Sequence, residues 1–358
     1  MKKIDAYIFK RFLGTFFYSI SIIIIIVIVF DISEKIENFI VKQAPLKAII
    51  FDYYLNFIPY FINLFSPLFT FIAVIFFTSK MASNTEIVAI LSSGISFRRL
   101  LLPYFFAASI LAGLSLYLTN YIIPIANKKR FDFEEKYVRN AYYNQDINIH
   151  KQIDPGTFIY LERYNNQQNI GYKFAMEKIN EGKLSYKLMS ESITWDSIKN
   201  NWKISNYFIR QIKGMNEVVT KGSTIDTVLN FKPADFGRKL QNIETMNYPQ
   251  LKQYVEDEKM KGSDNVQLYE IEKYKRLAFP FATFILTLIG VSLASQKVRG
   301  GIGLHIGIGL LISFSFILFM QVSTTFAASG LVSALISVWI PNILFGLLAL
   351  YLLNRAPK

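Results

Sequence analysis

The 358-residue sequence contains no cysteine, only two histidines, and 26 acidic against 39 basic side chains. The missing cysteines exclude a disulfide scaffold and a thiolate metal centre, and a hydrophobic content of 52% excludes a disordered chain. No G-x-x-x-x-G-K-[ST] stretch occurs, so no phosphate-binding loop is present; Gly182-Lys183 sits in a predicted β turn. Clustered acids, histidines or an activated nucleophile at one face are also lacking, and neither catalytic residues nor metal ligands are assigned. Most telling is where charge is missing. Phe12–Phe30, Tyr53–Thr78, Leu100–Asn127, Leu277–Gln296 and Gly300–Asn354 carry no Asp, Glu, Lys or Arg, which no ordinary soluble globule shows.

A bilayer core of roughly 30 Å takes about 20 helical residues at about 1.5 Å each, and the first four runs meet that length. The fifth breaks at Ala328-Ser329-Gly330 into Ile302–Ala327 and Leu331–Leu353, so six spans are predicted. A secretory signal peptide competes for the first run. Its apolar stretch is long for one, and Asp31-Ile32-Ser33-Glu34 offers no small-residue cleavage site, so a retained signal anchor is expected. Lys and Arg flanking the spans set the orientation. Lys2, Lys3, Lys10 and Arg11, then Lys80, Arg98 and Arg99, Lys297 and Arg299, and Arg355 and Lys358 fall on one side. The short loops of the other side hold only Lys35, Lys42 and Lys47. Both termini are expected in the cytoplasm, which puts the long insert after the third span outside it.

That insert, Ile125–Tyr274, has 23 basic and 20 acidic residues. The excess positive charge therefore belongs to the membrane flanks, and a nucleic-acid partner is not expected. Over Ile147–Phe231, stretches such as Thr157–Leu161 and Lys203–Ile209 are rich in aromatic and β-branched residues. They alternate with turn formers at Asp154-Pro155-Gly156, Asn165-Asn166, Asn180-Glu181-Gly182 and Lys199-Asn200-Asn201, predicting an all-β sandwich, barrel or jelly roll. Asn247 is placed to cap a helix carrying Leu251, Tyr254 and Val255 and ending near Gly262. A polar helix at about Asp264–Arg276 is expected to run into the fourth span. The chain divides into residues 1–127 (three spans), 128–246 (β domain), 247–276 (helical connector) and 277–358 (three spans).

Between spans 2 and 3, Ser83-Asn84-Thr85-Glu86 fits a capping box. Ile87, Ile90 and Leu91 recur at helical spacing and Gly94 suits the C′ position, predicting a short amphipathic helix at about 83–94. Such a helix either lies on lipid or docks in a groove of a cytoplasmic partner. Pro59, Pro67 and Pro341 fall inside spans, whereas Pro103 and Pro280 are expected in first turns. Gly300, Gly301, Gly303, Gly307 and Gly309 open an apolar run with no preceding strand, which points to close helix packing rather than phosphate binding. His305 has no acidic partner in any span, so a packing role is expected for it.

Three motifs carry a resemblance. Thr85-Glu86-Ile87-Val88-Ala89-Ile90 with Ser93-Gly94-Ile95-Ser96, Leu277-Ala278-Phe279-Pro280-Phe281-Ala282, and Arg299-Gly300-Gly301 with Gly303, Gly307 and Gly309 resemble the lipopolysaccharide-export permeases of the LptF/LptG type. The order of three spans, a β insert and three spans agrees over the whole chain. The resemblance implies an α-helical polytopic membrane protein with six transmembrane helices and an inserted periplasmic, jelly-roll-like β domain, in a Gram-negative inner membrane. It implies a non-catalytic permease paired with a paralogous permease and driven by a cytoplasmic ABC ATPase dimer, which uses the ATP and Mg while this chain holds no cofactor. A single-span accessory subunit, a periplasmic jelly-roll bridge protein and lipopolysaccharide as substrate follow from the same resemblance. So do the site residues: Lys35, Lys42 and Lys47 for substrate phosphates, Glu86, Ile87, Ile90, Leu91 and Gly94 for coupling to the ATPase, and Gly303 and Gly307 at a lateral gate. A permease for another lipid or lipoprotein, and a non-transporting envelope scaffold, are the alternatives.

Overall fold

Helix α1 (Lys3–Val41) shows how a nearly uniform apolar sequence still has a face. Ile8, Phe12, Phe16, Ile20 and Ile24 recur every fourth residue and are buried, while Phe17, Tyr18, Ile22, Ile25, Val29 and Phe30 are exposed. At 3.6 residues per turn this spacing keeps one slowly drifting stripe against the neighbouring helices. Lipid tails are as apolar as that stripe, so the contact is held by packing rather than by removal from water. The computed structural model describes residues 3–139, 146–214, 216–236, 239–263, 265–296 and 301–356. Lys2, Asp264, Lys297, Arg299, Gly300 and Lys358, used above for capping, topology and motif, lie outside the described residues.

Two compact units are formed, one from residues up to Val138 with Thr245–Tyr248 and the chain from Gln267 onward, the other from Arg139–Glu244 and Pro249–Val266. In the first, α2 spans Leu46–Ser83, α3 Glu86–Ser92, α4 Phe97–Tyr137, α7 Val266–Ala294, α8 Gly301–Ala328 and α9 Ala334–Arg355. Among the described residues six helices, α1, α2, α4, α7, α8 and α9, are long and apolar enough to cross a membrane. The break between α8 and α9 falls where expected, with Gly330 at φ +79° accepting a conformation that side chains resist.

Three local expectations are corrected. Pro103 and Pro280 do not lie in first turns: α4 already begins at Phe97 and α7 at Val266, because the polar connector and the fourth span form one uninterrupted helix. The capping box is not made either. Helix α2 continues through Ser83, whose hydroxyl donates to the Lys80 carbonyl (2.9 Å), so Ser83 is the end of one helix and not the cap of the next. Thr85 instead closes α2 with a bond to the Ala82 carbonyl (3.1 Å) in a left-handed conformation at φ 60°, which a β-branched residue rarely adopts. Helix α4 also runs past Asn127 to Tyr137. A π-helical turn at Leu118–Ile122 precedes Pro124, whose missing N–H interrupts the regular ladder.

In the second unit, β1 (Ile147–Asp154), β2 (Thr157–Asn165), β3 (Ile170–Asn180), β4 (Lys183–Asp196), β5 (Asn201–Lys213) and β6 (Asn216–Thr227) pair antiparallel in sequence order. The turns follow the predicted chemistry. Glu181 and Gly182 both take positive φ in the two-residue β3–β4 hairpin, and Gly156 does so between β1 and β2. One face of the sheet holds the core, with Ile159, Leu161, Phe174, Leu188, Ile193, Trp202 and Ile204 buried around Phe231 and Phe236. Trp202 donates its indole N–H to the Phe231 carbonyl (2.9 Å), and Tyr164 stacks on Phe236 with centroids 4.2 Å apart. Short helix α5 (Lys239–Glu244) and α6 (Tyr248–Met260) follow, with Leu251 and Val255 of α6 fully buried.

Candidate functional site

Chemistry-bearing residues of the membrane unit gather at two ends and along one helix seam. At the C-terminal end of α1 the hub is Asp31, a residue assigned no role in the site from the sequence. Its carboxylate accepts from Lys35 Nζ (2.5 Å), from the Tyr53 hydroxyl (3.1 Å) and from the Tyr54 hydroxyl (3.0 Å). Lys35 also donates to the Tyr53 hydroxyl, and its ammonium lies 5.0 Å from that ring's centroid. The pair is largely removed from solvent, with side-chain exposures of 19% for Lys35 and 11% for Asp31. Phe39 meets the Tyr53 and Phe133 rings edge-on, and Tyr53 and Phe133 lie tilted by 31° with centroids 5.2 Å apart. Nearby in sequence on α4, Arg130 and Glu134 are buried with 3.6 Å between them, and the Arg130 guanidinium lies over the Tyr60 and Phe131 rings.

The three lysines are therefore not equivalent. Lys35 is neutralised by Asp31, Lys42 is half-buried in the turn after α1, and Lys47 is exposed in the first turn of α2. Asp31 was missed because a single acid beside a span reads as ordinary boundary charge. The signal available was the Tyr53-Tyr54 pair at the start of the next span, two phenols that need a partner when buried.

At the opposite end, the N-terminal turn of α1 meets α3 and the start of α4. Arg99 holds Asp5 with both guanidinium nitrogens (2.9 and 2.6 Å), and Tyr7 donates to Glu86 Oε2 (3.2 Å). Asn84 donates to the other Glu86 oxygen (3.1 Å). Of the coupling residues, Ile87 is fully buried in the same apolar cluster as Ile8, Phe12, Phe97 and Leu100, and Ile90 and Leu91 are half-buried against that cluster. The outward face of α3 is Val88, Ala89 and Ser92, and Val88 is 58% exposed. Gly94 closes the helix at φ +85° in the C′ position. Period alone gave a correct helix and left open which apolar side faces in.

Along the α2–α8 seam, Ser79 and the His305 ring Nδ1 are 2.8 Å apart and both are buried. One turn further, a Cβ on Gly309 would overlap Ile75, while a Cβ on Gly303 or Gly307 would meet nothing within 4 Å. Within this chain the close approach expected at Gly303 and Gly307 is made by Gly309, and by Gly290 of α7, which faces Val74 and Phe71.

These arrangements define a class: a polytopic helical membrane protein with an inserted antiparallel β domain and, among the described residues of its bundle, no metal-binding cluster. Residues 6–355 match the lipopolysaccharide export system permeases LptF/LptG, and the chain belongs to that family. No curated protein matches it in sequence. It is accordingly a multi-pass inner-membrane permease of the lipopolysaccharide-export kind.

Proposed function

We propose that this chain is one of two paralogous permeases in an ATP-driven ABC exporter. It extracts lipopolysaccharide from the inner membrane and passes it to a periplasmic bridge of jelly-roll domains. The observation that carries this reading is the family match over residues 6–355, which takes in both the bundle and the inserted β domain. A dimeric cytoplasmic ATPase supplies the energy with ATP and Mg, and a single-span accessory subunit joins the pair. The physical demand favours such a division of labour. Exposing a multi-acyl lipid with some 60 methylenes to water costs on the order of 50 kcal/mol at about 0.8 kcal/mol each, so the chains stay covered throughout and each ATP drives only one small step.

Lys and Arg flanking the spans support cytoplasmic termini and a periplasmic β domain. In that orientation α3 faces the ATPase with Val88, Ala89 and Ser92, and Glu86 and Gly94 fix its ends. Ile87, Ile90 and Leu91 anchor it to the bundle and so act on coupling from the inside. Lys47 and Lys42 stand nearest the outer headgroups as phosphate contacts, while Lys35 becomes one only when a phosphate replaces Asp31. Gly303 and Gly307, open within this chain, offer a smooth face of α8 for a lateral gate shared with the second permease.

For the bridge, the sheet has two edges, β1 and β6. Chain returning after β6 attends β1: Asn230 donates to the Ile153 carbonyl (3.3 Å) and Lys151 to the Asp235 carbonyl (2.9 Å). A cavity of about 540 Å³ between β1 and the end of α6 is lined by Asn148, His150, Glu258 and Lys261. Strand β6 is exposed along most of its length, with Val218 59% exposed, so strand addition is assigned to β6. Purification in mild detergent tests the whole reading. A second permease, an ATPase and bound lipopolysaccharide are expected to copurify. A chain that hydrolyses nucleotide alone, or that is recovered folded with envelope proteins but no ATPase, overturns it.

A further inference from the structure

The N-terminal turn of α1 is tied down more firmly than the middle of that helix. Between this turn and Asp31, α1 touches its neighbours by an apolar stripe, whereas Asp5, Tyr7 and Ile8 make three different kinds of contact within one turn. Asp5 receives a bidentate fork from Arg99, an arrangement that fixes orientation as well as distance. Arg99 is itself fixed at the head of α4, where the Ser96 side chain accepts from its backbone N–H. Tyr7 bonds Glu86 at the head of α3, and Ile8 is fully buried in the cluster that contains Ile87. The Asn84-Thr85 link that joins α3 to α2 spans two residues and is itself hydrogen-bonded, so α3 has little slack on its other side.

We infer that α3 and the first turns of α1 move as one body, with Asp5, Tyr7, Glu86 and Arg99 as its positioning residues. This rests on the exporter reading, in which the ATPase acts on α3. Helix α1 contains no proline, and its 39 residues carry a displacement from Asp5 to the Asp31–Lys35 pair at its far end. A push on α3 therefore has a direct route along α1 to the charged hub at its far end, beside the apolar contacts that α1 makes with α2 and α4.

The absence of native cysteine makes the test direct. Spin labels are placed on Lys10→Cys with Ser93→Cys, and on Ser93→Cys with Tyr351→Cys, Ser93 being an exposed residue at the end of α3 outside the face assigned to the ATPase. Distances are then compared between nucleotide-free and vanadate-trapped states of the assembled complex. The 10–93 distance is expected to stay fixed while the 93–351 distance shifts. In Asp5→Asn/Tyr7→Phe the 10–93 distance should spread, with ATP hydrolysis retained and roughly 5-fold or more fewer lipids moved per ATP. Exchange of the charges, Asp5→Arg with Arg99→Asp, should keep transport, which separates loss of the clamp from loss of folding. A 10–93 shift as large as the 93–351 shift in the unmodified clamp, or full transport per ATP in Asp5→Asn/Tyr7→Phe, overturns the clamp alone. No nucleotide-dependent shift in either distance removes the motor-driven reading and the clamp with it.

Discussion

Lys35 illustrates how one side chain's environment decides its chemistry. In water an exposed Lys–Asp pair four residues apart on a helix contributes a few tenths of a kcal/mol, but here both partners are mostly covered and two phenols share the carboxylate. Removing one partner leaves the other desolvated and under-bonded, whereas replacing both leaves no buried charge, and Asp31→Asn keeps an oxygen for the two phenols. Lys35→Met alone should lower stability by about 1–3 kcal/mol, and Asp31→Asn/Lys35→Met should lose less than the sum of the single changes. Thermal unfolding of the four proteins in one detergent measures the coupling, and strict additivity would show that the pair is not formed. In the β unit, burial and the nearby Asp235 carboxylate push the Tyr164 phenol above its ordinary range. A raised folded value means that its contribution is intact below the unfolded value of about 10 and is lost as pH rises through the folded one. Tyr164→Phe should therefore leave neutral-pH stability nearly unchanged and move the alkaline loss of β circular dichroism to higher pH. An unchanged alkaline midpoint would assign that transition to other groups.

Elements were legible wherever a strong period or a required backbone conformation left one solution. Six spans, the hairpin turns at Gly156 and Gly182 and the helix end at Gly94 follow from length, charge and the tolerance of glycine for positive φ. What failed was decided by neighbours. Ser83 reads as a cap only if α2 has already ended, and Pro280 as a first-turn residue only if the polar stretch before it is separate. Ile87 and Val88 are equally apolar, and the presence of Ile8 and Phe97 on one side determines which is buried. The glycines of α8 make the same point, since their spacing does not say which one faces α2. Gly309→Leu should drive a side chain into Ile75 and cost folded yield, because overpacking of a tight seam displaces whole helices. Gly303→Leu, facing open space, should fold normally and act only on transport or on pairing with the second permease. Size-exclusion profiles and transport assays of the two variants separate these outcomes, and a folding defect in Gly303→Leu with none in Gly309→Leu would reverse the assignment.

For the whole molecule the decisive quantity is which end of the bundle meets which compartment. Positive charge at the flanks of spans retains those flanks in the cytoplasm, because Lys and Arg are moved across the membrane only with difficulty. On the proposed exporter reading, the same distribution that makes the chain basic overall sets α3 toward the ATPase and the β insert toward the bridge, and every functional assignment proposed above inherits that orientation. Two exposed positions report it independently. Val88 lies on the outward face of α3, and Ile198 at the β4–β5 turn is 93% exposed. In a chain without native cysteine, Val88→Cys should react with a membrane-impermeant maleimide only after the inner membrane is opened. Ile198→Cys should react once the outer membrane alone is permeabilised. The converse pattern would invert the topology, take the β edge away from the periplasm and remove the ground for both the bridge and the lysine–phosphate contacts. Labelling of both positions from the periplasm would break the alternation of the spans and require an odd number of crossings between Val88 and Ile198 to become even.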